Sequence, residues 1–230
     1  MAAYQMKYVA LGDSIARGKG AKKREGYVYL FHRFLMEQYG NVALSNQAIS
    51  GIGSRGMLAQ LHLNPAVRRA VREADIMTIS IGGNNLLAAT SRNYHFIHPY
   101  QAKQGIALFC KQWPLLLSTI RERLNAKATL YVINLYNPYR SNEPNYATAD
   151  MYIKQINAEI GNSKYIKRYK YQVVPIYSTF KGQLDEENWK TCAYTHFCQR
   201  KRDPHPTRQG YQEIFQVHKK LHLAYANEGG

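Results

Sequence analysis

The sequence KYVALGDSIARG, residues 7–18, passes from an apolar segment directly into glycine, aspartate and serine. Its apolar, β-branched part is typical of a buried strand, and SIARG predicts a short helical turn after it. A serine that follows a strand is more often a helix N-cap than a reactive group. By itself, this stretch predicts a first strand that ends in a tight turn at Ser14.

The rest of the chain repeats this alternation of strand and helix. Further strand-like segments begin at residues 41, 75, 129 and 171, and helical periodicity covers 26–40, 55–74, 105–126, 147–161 and 207–226. Strands that alternate with helices favour right-handed crossovers and a parallel sheet covered on both faces. We therefore expect an α/β fold, a doubly wound three-layer α/β/α sandwich with about five parallel strands, in a single domain over residues 1–230.

Composition indicates a globular protein with a strongly basic surface. The 45% of hydrophobic residues suffices for a core, and 31 Lys and Arg against 15 Asp and Glu give a formal charge of +16. This charge favours non-specific contact with anionic surfaces or polyanions. The basic segment KYIKRYK, residues 164–170, comes with no nucleic-acid-binding motif, so it predicts a solvated helix and loop face and no specific nucleic-acid partner.

No segment of the sequence approaches the ~18 apolar residues of a membrane span. The first strand begins close to Met1, without a signal-peptide pattern before it. We expect a soluble protein, cytoplasmic by default, or secreted or spore-associated if a signal peptide has been removed. The oligomeric state stays open.

The three cysteines leave alternatives open. Cys110 lies in an apolar segment and is expected to pack as a small core residue. Cys192 and Cys198 could form a disulfide in an oxidising compartment, or bind a metal together with His196. Because the four-ligand spacing of a zinc site is absent, two unpaired thiols are favoured, and no metal or cofactor is expected.

Polar residues cluster where the predicted strands end. Ser14, Gly51 and Asn84 follow the first three strands, and the irregular segment 178–206 ends in DPHP before the last helix. In doubly wound folds, ligands bind outside the carboxyl ends of the strands. We therefore expect the chemistry at this edge of the sheet.

These clusters contain every group that serine-dependent hydrolysis requires. Ser14 could be the nucleophile, and its N–H at a helix start, the N–H of Gly51 and the side-chain amide of Asn84 could stabilise an oxyanion. Because Asp203 and His205 both precede proline, DPHP is expected to be extended, which places the two side chains on the same side. Asp203 can then orient His205 as the base.

The blocks GDS at 12–14, AISG at 48–51, GGNN at 82–85 and DPHPT at 203–207 resemble those of the GDSL/SGNH hydrolase family, in the same order and over almost the whole chain. The resemblance implies a flavodoxin-like fold and an esterase or lipase. It also implies Ser14 as nucleophile, His205 as base, and the Ser14 N–H, Gly51 and Asn84 as oxyanion donors. It requires no cofactor.

Three positions depart from the family pattern. Ile15 replaces a common leucine, and Asn85 replaces an aspartate, which removes a negative charge near the site. Many members place the acid three residues before the histidine, where this chain has Arg202. Asp203 is our choice, although a backbone carbonyl could orient His205 instead. Asp13 is expected to hold the turn around Ser14 through backbone N–H groups.

The substrate is only partly constrained. The segments 86–100 and 134–139 are rich in apolar and aromatic residues and should overhang the site, with Leu86 and Tyr136 as substrate-binding residues. We expect a carboxylic ester with a short to medium acyl chain, cleaved through an acyl-serine. Glycerolipids, phospholipids and acetylated carbohydrates stay open, as does a non-catalytic protein that binds polyanions. Activity should rise with pH around 6.5, or slightly above, as His205 loses its proton.

Overall fold

The computed structural model describes residues 4–227 and contains one five-stranded sheet. All strand pairs are parallel, in the order β2-β1-β3-β4-β5. The strands are β1 (Met6–Gly12), β2 (Val42–Asn46), β3 (Ile76–Ser80), β4 (Thr129–Ile133) and β5 (Tyr171–Val174). This is the doubly wound, flavodoxin-like order, and the predicted fold class is confirmed.

Helices cover both faces of the sheet. They are α1 (Ser14–Arg17), α2 (Tyr27–Tyr39), α3 (Ser54–Leu63), α4 (Pro65–Glu73), α5 (Gly83–Leu87), α6 (Pro99–Ser118), α7 (Tyr146–Ile160), α8 (Ser163–Tyr169), α9 (Ile176–Phe180), α10 (Lys190–Tyr194) and α11 (Arg208–Asn227). None of these helices, within residues 4–227, combines the length and apolarity needed to span a membrane.

The alternating side chains of the strands divide the core into two halves. Val9 and Leu11 of β1 point into the half covered by α3, α4, α6, α7 and α8. Tyr8 and Ala10 point to the opposite half, which α2, α9 and α11 cover. Because both faces are buried, the strands are nearly continuous apolar runs, as expected for a parallel sheet.

Two segments differ from the prediction. Helix α6 begins at Pro99, six residues before the predicted start at 105, because the fixed φ of proline suits the first turn of a helix. The segment 178–206 is less irregular than expected. It holds α10, a 3₁₀ turn over His196–Cys198 and a disulfide between Cys192 and Cys198.

Arg121 joins elements at the amino end of the sheet. It lies in a π-helical turn, Thr119–Arg123, that continues α6. Its guanidinium donates to four backbone carbonyls, those of Ala126, Ala128, Tyr169 and Lys170, at 2.7 to 2.9 Å. The chain segments that lead into β4 and β5 are therefore fixed to each other through one side chain.

We predict that Arg121→Met lowers the free energy of unfolding by about 2–4 kcal/mol, because four carbonyls lose a charged donor while the length of the side chain is kept. Arg168→Met is the matched control. Arg168 pairs with Glu122 at the surface and lies 5.2 Å from the ring of Tyr169, so its loss should cost less than about 1 kcal/mol. Urea denaturation measures both. Equal losses in the two variants would contradict this role for Arg121.

Candidate active site

The candidate site lies at the carboxyl edge of the sheet between β1 and β3, where the strand order reverses. Gly12 ends β1 with a φ of +127°, and a Cβ there would overlap the carbonyl oxygen of Ser80 at the end of β3. Asp13 N–H donates to that same carbonyl at 3.0 Å. Glycine is therefore required for β1 and β3 to approach so closely before the chain turns to Ser14.

Asp13 holds this turn. Its Oδ1 accepts hydrogen bonds from Ile15 N–H at 3.0 Å and from Ser80 Oγ at 2.9 Å, which caps α1. Asp13 is buried, and burial raises the pKa of its carboxyl to about 6. The geometry agrees with a structural role, since its hydrogen bonds go to the turn and to β3.

Three predicted residues meet in one hydrogen-bonded row. The hydroxyl of Ser14 lies 2.8 Å from Nε2 of His205, and Nδ1 of His205 bonds to Oδ1 of Asp203. The same Oδ1 accepts the His205 backbone N–H at 3.0 Å. Because Nδ1 faces a carboxylate it carries the proton, so Nε2 is free to accept the proton of Ser14. Residues 14 and 205 meet because β1 ends and α11 begins at the same edge.

Arg202, which stands where many family members have the acid, is engaged elsewhere. Its guanidinium bonds to Glu143 and lies 4.8 Å from the ring of Phe197. The carboxylate that bonds to His205 therefore lies one residue closer to the histidine than in the family pattern. Asp203 still reaches His205, in agreement with the extended geometry expected for DPHP.

His205 is held from several sides. His196 N–H donates to the His205 carbonyl at 3.0 Å, and Thr207 N–H donates to the Tyr194 carbonyl at 2.9 Å. The hydroxyl of Tyr136 donates to the carbonyl of Pro204 at 2.5 Å. These bonds fix the backbone on both sides of the imidazole.

The expectation of unpaired thiols at Cys192 and Cys198 is wrong. The two sulfurs form a disulfide, with Cα atoms 5.2 Å apart. Thr195 caps the 3₁₀ turn by accepting from Phe197 N–H, and that turn returns the chain to Cys192. The disulfide thus closes the segment that donates to the His205 carbonyl. The sulfurs are not available to a metal, and His196 binds the Gly20 carbonyl instead.

Burial lowers the pKa of His205 below 6.5, and this outweighs the opposing effect of Asp203. The charges of Lys19 and His196 lower it further. The expected value at or slightly above 6.5 is therefore wrong, because it counted the carboxylate and ignored desolvation. Burial alone would raise the pKa of Asp203, but the hydrogen bonds from His205 outweigh it and lower that pKa.

The three predicted oxyanion donors lie in neighbouring turns. Over residues 4–227, neither Ser14 N–H nor Gly51 N–H donates to a protein acceptor. The turn that contains Gly51 is tied to β1 by Ile49 N–H on the Gly12 carbonyl at 2.8 Å. Asn84 Nδ2 donates to the Ile52 carbonyl at 2.9 Å, which leaves its second N–H available. Ser14 and Asn84 line the cavity of the site, and Gly51 lies outside that lining.

Asn85 points away from the cavity. Its side-chain oxygen accepts from Ser54 N–H at 3.1 Å, and its nitrogen donates to Ser54 Oγ at 2.9 Å and to the Gly105 carbonyl at 3.3 Å. An amide can both accept and donate, as this buried position requires, whereas a carboxylate would leave the Gly105 carbonyl without a donor. Asparagine in place of the family's aspartate therefore serves the packing of α5 against α3 and α6.

A cavity of about 120 Å³ opens beside Ser14 and His205. Leu86 and Tyr136, the predicted substrate-binding residues, both line it. Most of the remaining lining is apolar or aromatic: Leu87, Tyr94, Ile97, Leu135, Tyr139, Ala149, Tyr152 and Ile153. Sequence reasoning missed the last three, which lie on α7, because their helical spacing is the same as that of ordinary core residues.

Comparison with known proteins finds relatives that match most of the chain. The family model described as "GDSL-like Lipase/Acylhydrolase family" matches residues 10–213. The chain is 31% identical over 193 residues to the spore germination lipase LipC of Bacillus licheniformis, covering 79% of this chain and 84% of the relative.

Solved structures give the same fold. The lipase Lip_vut3 from a goat rumen metagenome superposes with a TM-score of 0.72 at 27% identity, covering 94% of this chain and 97% of the other. Axe2, an acetylxylan esterase from Geobacillus stearothermophilus, has a TM-score of 0.61 at 16% identity, covering 94% and 93%. The second likeness bears on the fold alone.

Gly20 offers a test of the frame around His205. It has a φ of +98°, and a Cβ there would lie 2.5 Å from the Pro206 carbonyl oxygen and 3.0 Å from His205 Cβ. We predict that Gly20→Ala displaces the imidazole and slows covalent labelling of Ser14 by a fluorophosphonate at least about tenfold. Labelling is followed by mass spectrometry.

Gly40→Ala is the matched control, since Gly40 also has a positive φ of 76° but open space around its Cβ position. It carries the same type of backbone strain and should label at the wild-type rate. Equal slowing in both variants would show that strain, and not displacement of His205, is the cause.

Proposed function

Because the chain belongs to the GDSL-like lipase/acylhydrolase family and is a serine-dependent carboxylic ester hydrolase, we propose that Ser14 is its nucleophile and His205, oriented by Asp203, its base. The observation that carries this assignment is the 2.8 Å contact between Ser14 Oγ and His205 Nε2. It joins residues 191 positions apart in the chain, at the mouth of an apolar cavity.

The proposed reaction proceeds in two proton-coupled steps. His205 takes the proton of Ser14 as Oγ attacks the ester carbonyl, and then gives it to the departing alcohol. The acyl-serine is hydrolysed by water in the same way, with His205 again as base. Asp203 keeps the proton of the resting imidazole on Nδ1 and stabilises the imidazolium that forms in between.

The negative charge of the tetrahedral intermediate needs donors that are already in place. The N–H groups of Ser14 and Gly51 and the free N–H of Asn84 are proposed for this role. Ser14 N–H also lies at the start of α1, where helix donors are unpaired. Such donors require no reorganisation when the charge develops.

The apolar cavity supports a short to medium acyl chain. Its lining on α5, α7 and the loop after β4 offers no charged partner for the acyl group, and its small volume disfavours long chains. LipC is by name a lipase, and Axe2 an acetylxylan esterase. Between a lipid ester and an acetylated carbohydrate, the predominantly apolar lining favours the lipid-like ester.

The disulfide bears on the compartment. Disulfides persist in oxidising compartments and are rare in the cytosol. Cys192–Cys198 therefore supports the exported or spore-associated alternative over the cytoplasmic default.

We predict that Ser14→Ala reduces hydrolysis of p-nitrophenyl butyrate at least about a thousandfold, because the nucleophile is removed. The matched control is Ser178→Ala, which changes an exposed serine whose hydroxyl donates to the Pro175 carbonyl. Full activity of Ser14→Ala would contradict the assignment.

In the wild type, kcat/KM should rise from the acetate ester to a maximum near butyrate to hexanoate and then fall.

The acidic limb of the pH profile should have its midpoint below pH 6.5. Activity requires neutral His205, and burial lowers its pKa, so activity persists until the pH falls through that lowered value. Asp203→Asn removes the carboxylate that raises this pKa. We therefore predict that the limb moves to still lower pH and that the plateau rate falls roughly tenfold to a thousandfold.

Rates of p-nitrophenyl butyrate hydrolysis between pH 4.5 and 8, extrapolated to saturation, measure both effects of Asp203→Asn. An unchanged limb with full activity would remove Asp203 from the site and leave a Ser14–His205 dyad.

A further inference from the structure

Arg202 is a largely enclosed cation directly before Asp203 in the chain. It lies in the segment 199–203, which has no regular secondary structure and in which Arg200 and Lys201 are exposed. Only 23% of the Arg202 side chain is exposed. A charged group loses hydration in such a position, so contacts with the protein have to replace the water that it gives up.

The partner of this guanidinium is the carboxylate of Glu143, on the loop between β4 and α7. The Glu143 side chain is 8% exposed, and it also accepts from the backbone N–H of Arg140 at 3.1 Å. Burial alone would raise the pKa of Glu143, but the hydrogen bonds from Arg140 and Arg202 outweigh burial and lower that pKa. Glu143 is therefore charged near neutral pH, and it fixes the guanidinium through a charge-assisted hydrogen bond.

Two aromatic rings enclose another side of the guanidinium. Its central carbon lies 4.8 Å from the ring centre of Phe197 and 5.8 Å from that of Tyr139. The two rings pack edge to face, with their centres 4.7 Å apart. Phe197 belongs to the disulfide-closed segment, residues 192–198, and Tyr139 lines the cavity. Arg202 thus joins the loop after β4 to the disulfide-closed segment.

Asp203 has weak restraints of its own. Its side chain is 39% exposed, and its backbone N–H donates to the His196 carbonyl at a long 3.5 Å. Its Oδ1 bonds to the backbone N–H and to Nδ1 of His205. These bonds set the carboxylate relative to the imidazole, but water competes for a carboxylate that is this exposed. The residues beside Asp203 must therefore hold its backbone.

The side chains of Arg202 and Asp203 bond to different parts of the protein, the first to Glu143 and the second to His205. Successive side chains of an extended segment point to opposite sides. A guanidinium fixed on one side therefore directs the next side chain to the other side, because a rotation of the backbone would break the pair of Arg202 with Glu143.

The charge of Arg202 does not act on the imidazole directly. The pKa of His205 is shifted by the charges of Asp203, Lys19 and His196, and the pKa of Asp203 by those of His205 and Lys19. Arg202 is not one of these charges. An effect of Arg202 on the imidazole must therefore pass through the position of Asp203.

Resting on the proposed function, we propose that Arg202, held by Glu143, is a positioning residue that keeps the carboxylate of Asp203 against His205. Arg202 contacts neither the substrate nor the reacting atoms. Without its guanidinium, Asp203 can turn toward solvent, and the imidazole then loses the partner that sets its tautomer and stabilises its charged form. The residue at the family's usual acid position thus holds the acid that follows it.

A double-mutant cycle with Asp203→Asn tests the proposal. Arg202→Met keeps an unbranched side chain and removes the guanidinium. We expect it to lower kcat for p-nitrophenyl butyrate at least about fivefold when Asp203 is present and less than about twofold in the Asp203→Asn background, because no carboxylate is left there to position. An equal loss in both backgrounds would show an independent structural role and would overturn the proposal.

The pH profile separates positioning from a general loss of active enzyme. Partial unfolding lowers the plateau rate and leaves the midpoint of the acidic limb in place. Displacement of Asp203 removes the carboxylate that raises the pKa of His205, so the acidic limb of kcat should move to lower pH, as in Asp203→Asn. A lowered plateau with the limb at its wild-type position would overturn the proposal.

Glu143→Gln breaks the ion pair with a side chain of equal size, and it tests the proposal even if Arg202→Met does not fold. We expect a loss of kcat of about threefold or more that again requires Asp203, with the same direction of shift in the acidic limb. Wild-type kcat in Glu143→Gln would overturn the role of the pair.

Lys201→Met is the matched control, since it removes an exposed cation next to Arg202 in the same segment. It should leave both kcat and the acidic limb unchanged. A loss as large as that of Arg202→Met would show that the charge of the segment acts, without a specific contact, and would overturn the proposal.

The proposed function can fail separately. Full activity of Asp203→Asn would contradict the role of Asp203 itself. A strongly reduced Asp203→Asn variant, together with additive losses for Arg202→Met and Glu143→Gln, would overturn the positioning role alone. Circular dichroism at the assay temperature establishes that each variant is folded before its rate is compared.

Discussion

The site depends on the close approach of β1 and β3 at the point where the strand order reverses. Because Gly12 has no side chain, the end of β1 can lie directly against the Ser80 carbonyl. Asp13 then bonds to Ser80 through its backbone N–H and its carboxylate. Together these contacts set the direction in which Ser14 leaves the sheet. Every other group of the site is brought to this fixed hydroxyl, including His205 from the far end of the chain.

Two separate frameworks hold the imidazole against the hydroxyl. One is internal, through Asp203, and sets the tautomer of the ring. The other is external and consists of the disulfide-closed segment and Tyr136, which bond to the carbonyls of His205 and Pro204.

The sequence was sufficient for the sheet and for the contact between Asp203 and His205, because strand periodicity and the two X-Pro steps act locally. It could not predict the pairing of Cys192 with Cys198, which depends on a turn capped by Thr195. It also misjudged the pKa of His205, since desolvation depends on tertiary packing. The cavity lining on α7 could not be predicted either, because Tyr152 and Ile153 have the helical spacing of ordinary core residues.

The most direct test is a crystal structure of the enzyme after reaction with a butyl phosphonate ester. The account predicts one adduct, on Ser14 Oγ. Its phosphonyl oxygen should lie within about 3.2 Å of the Ser14 and Gly51 nitrogens and Asn84 Nδ2, and the butyl chain should occupy the cavity beside Leu86. An adduct on another residue, or a phosphonyl oxygen directed to solvent with these donors unengaged, would contradict it.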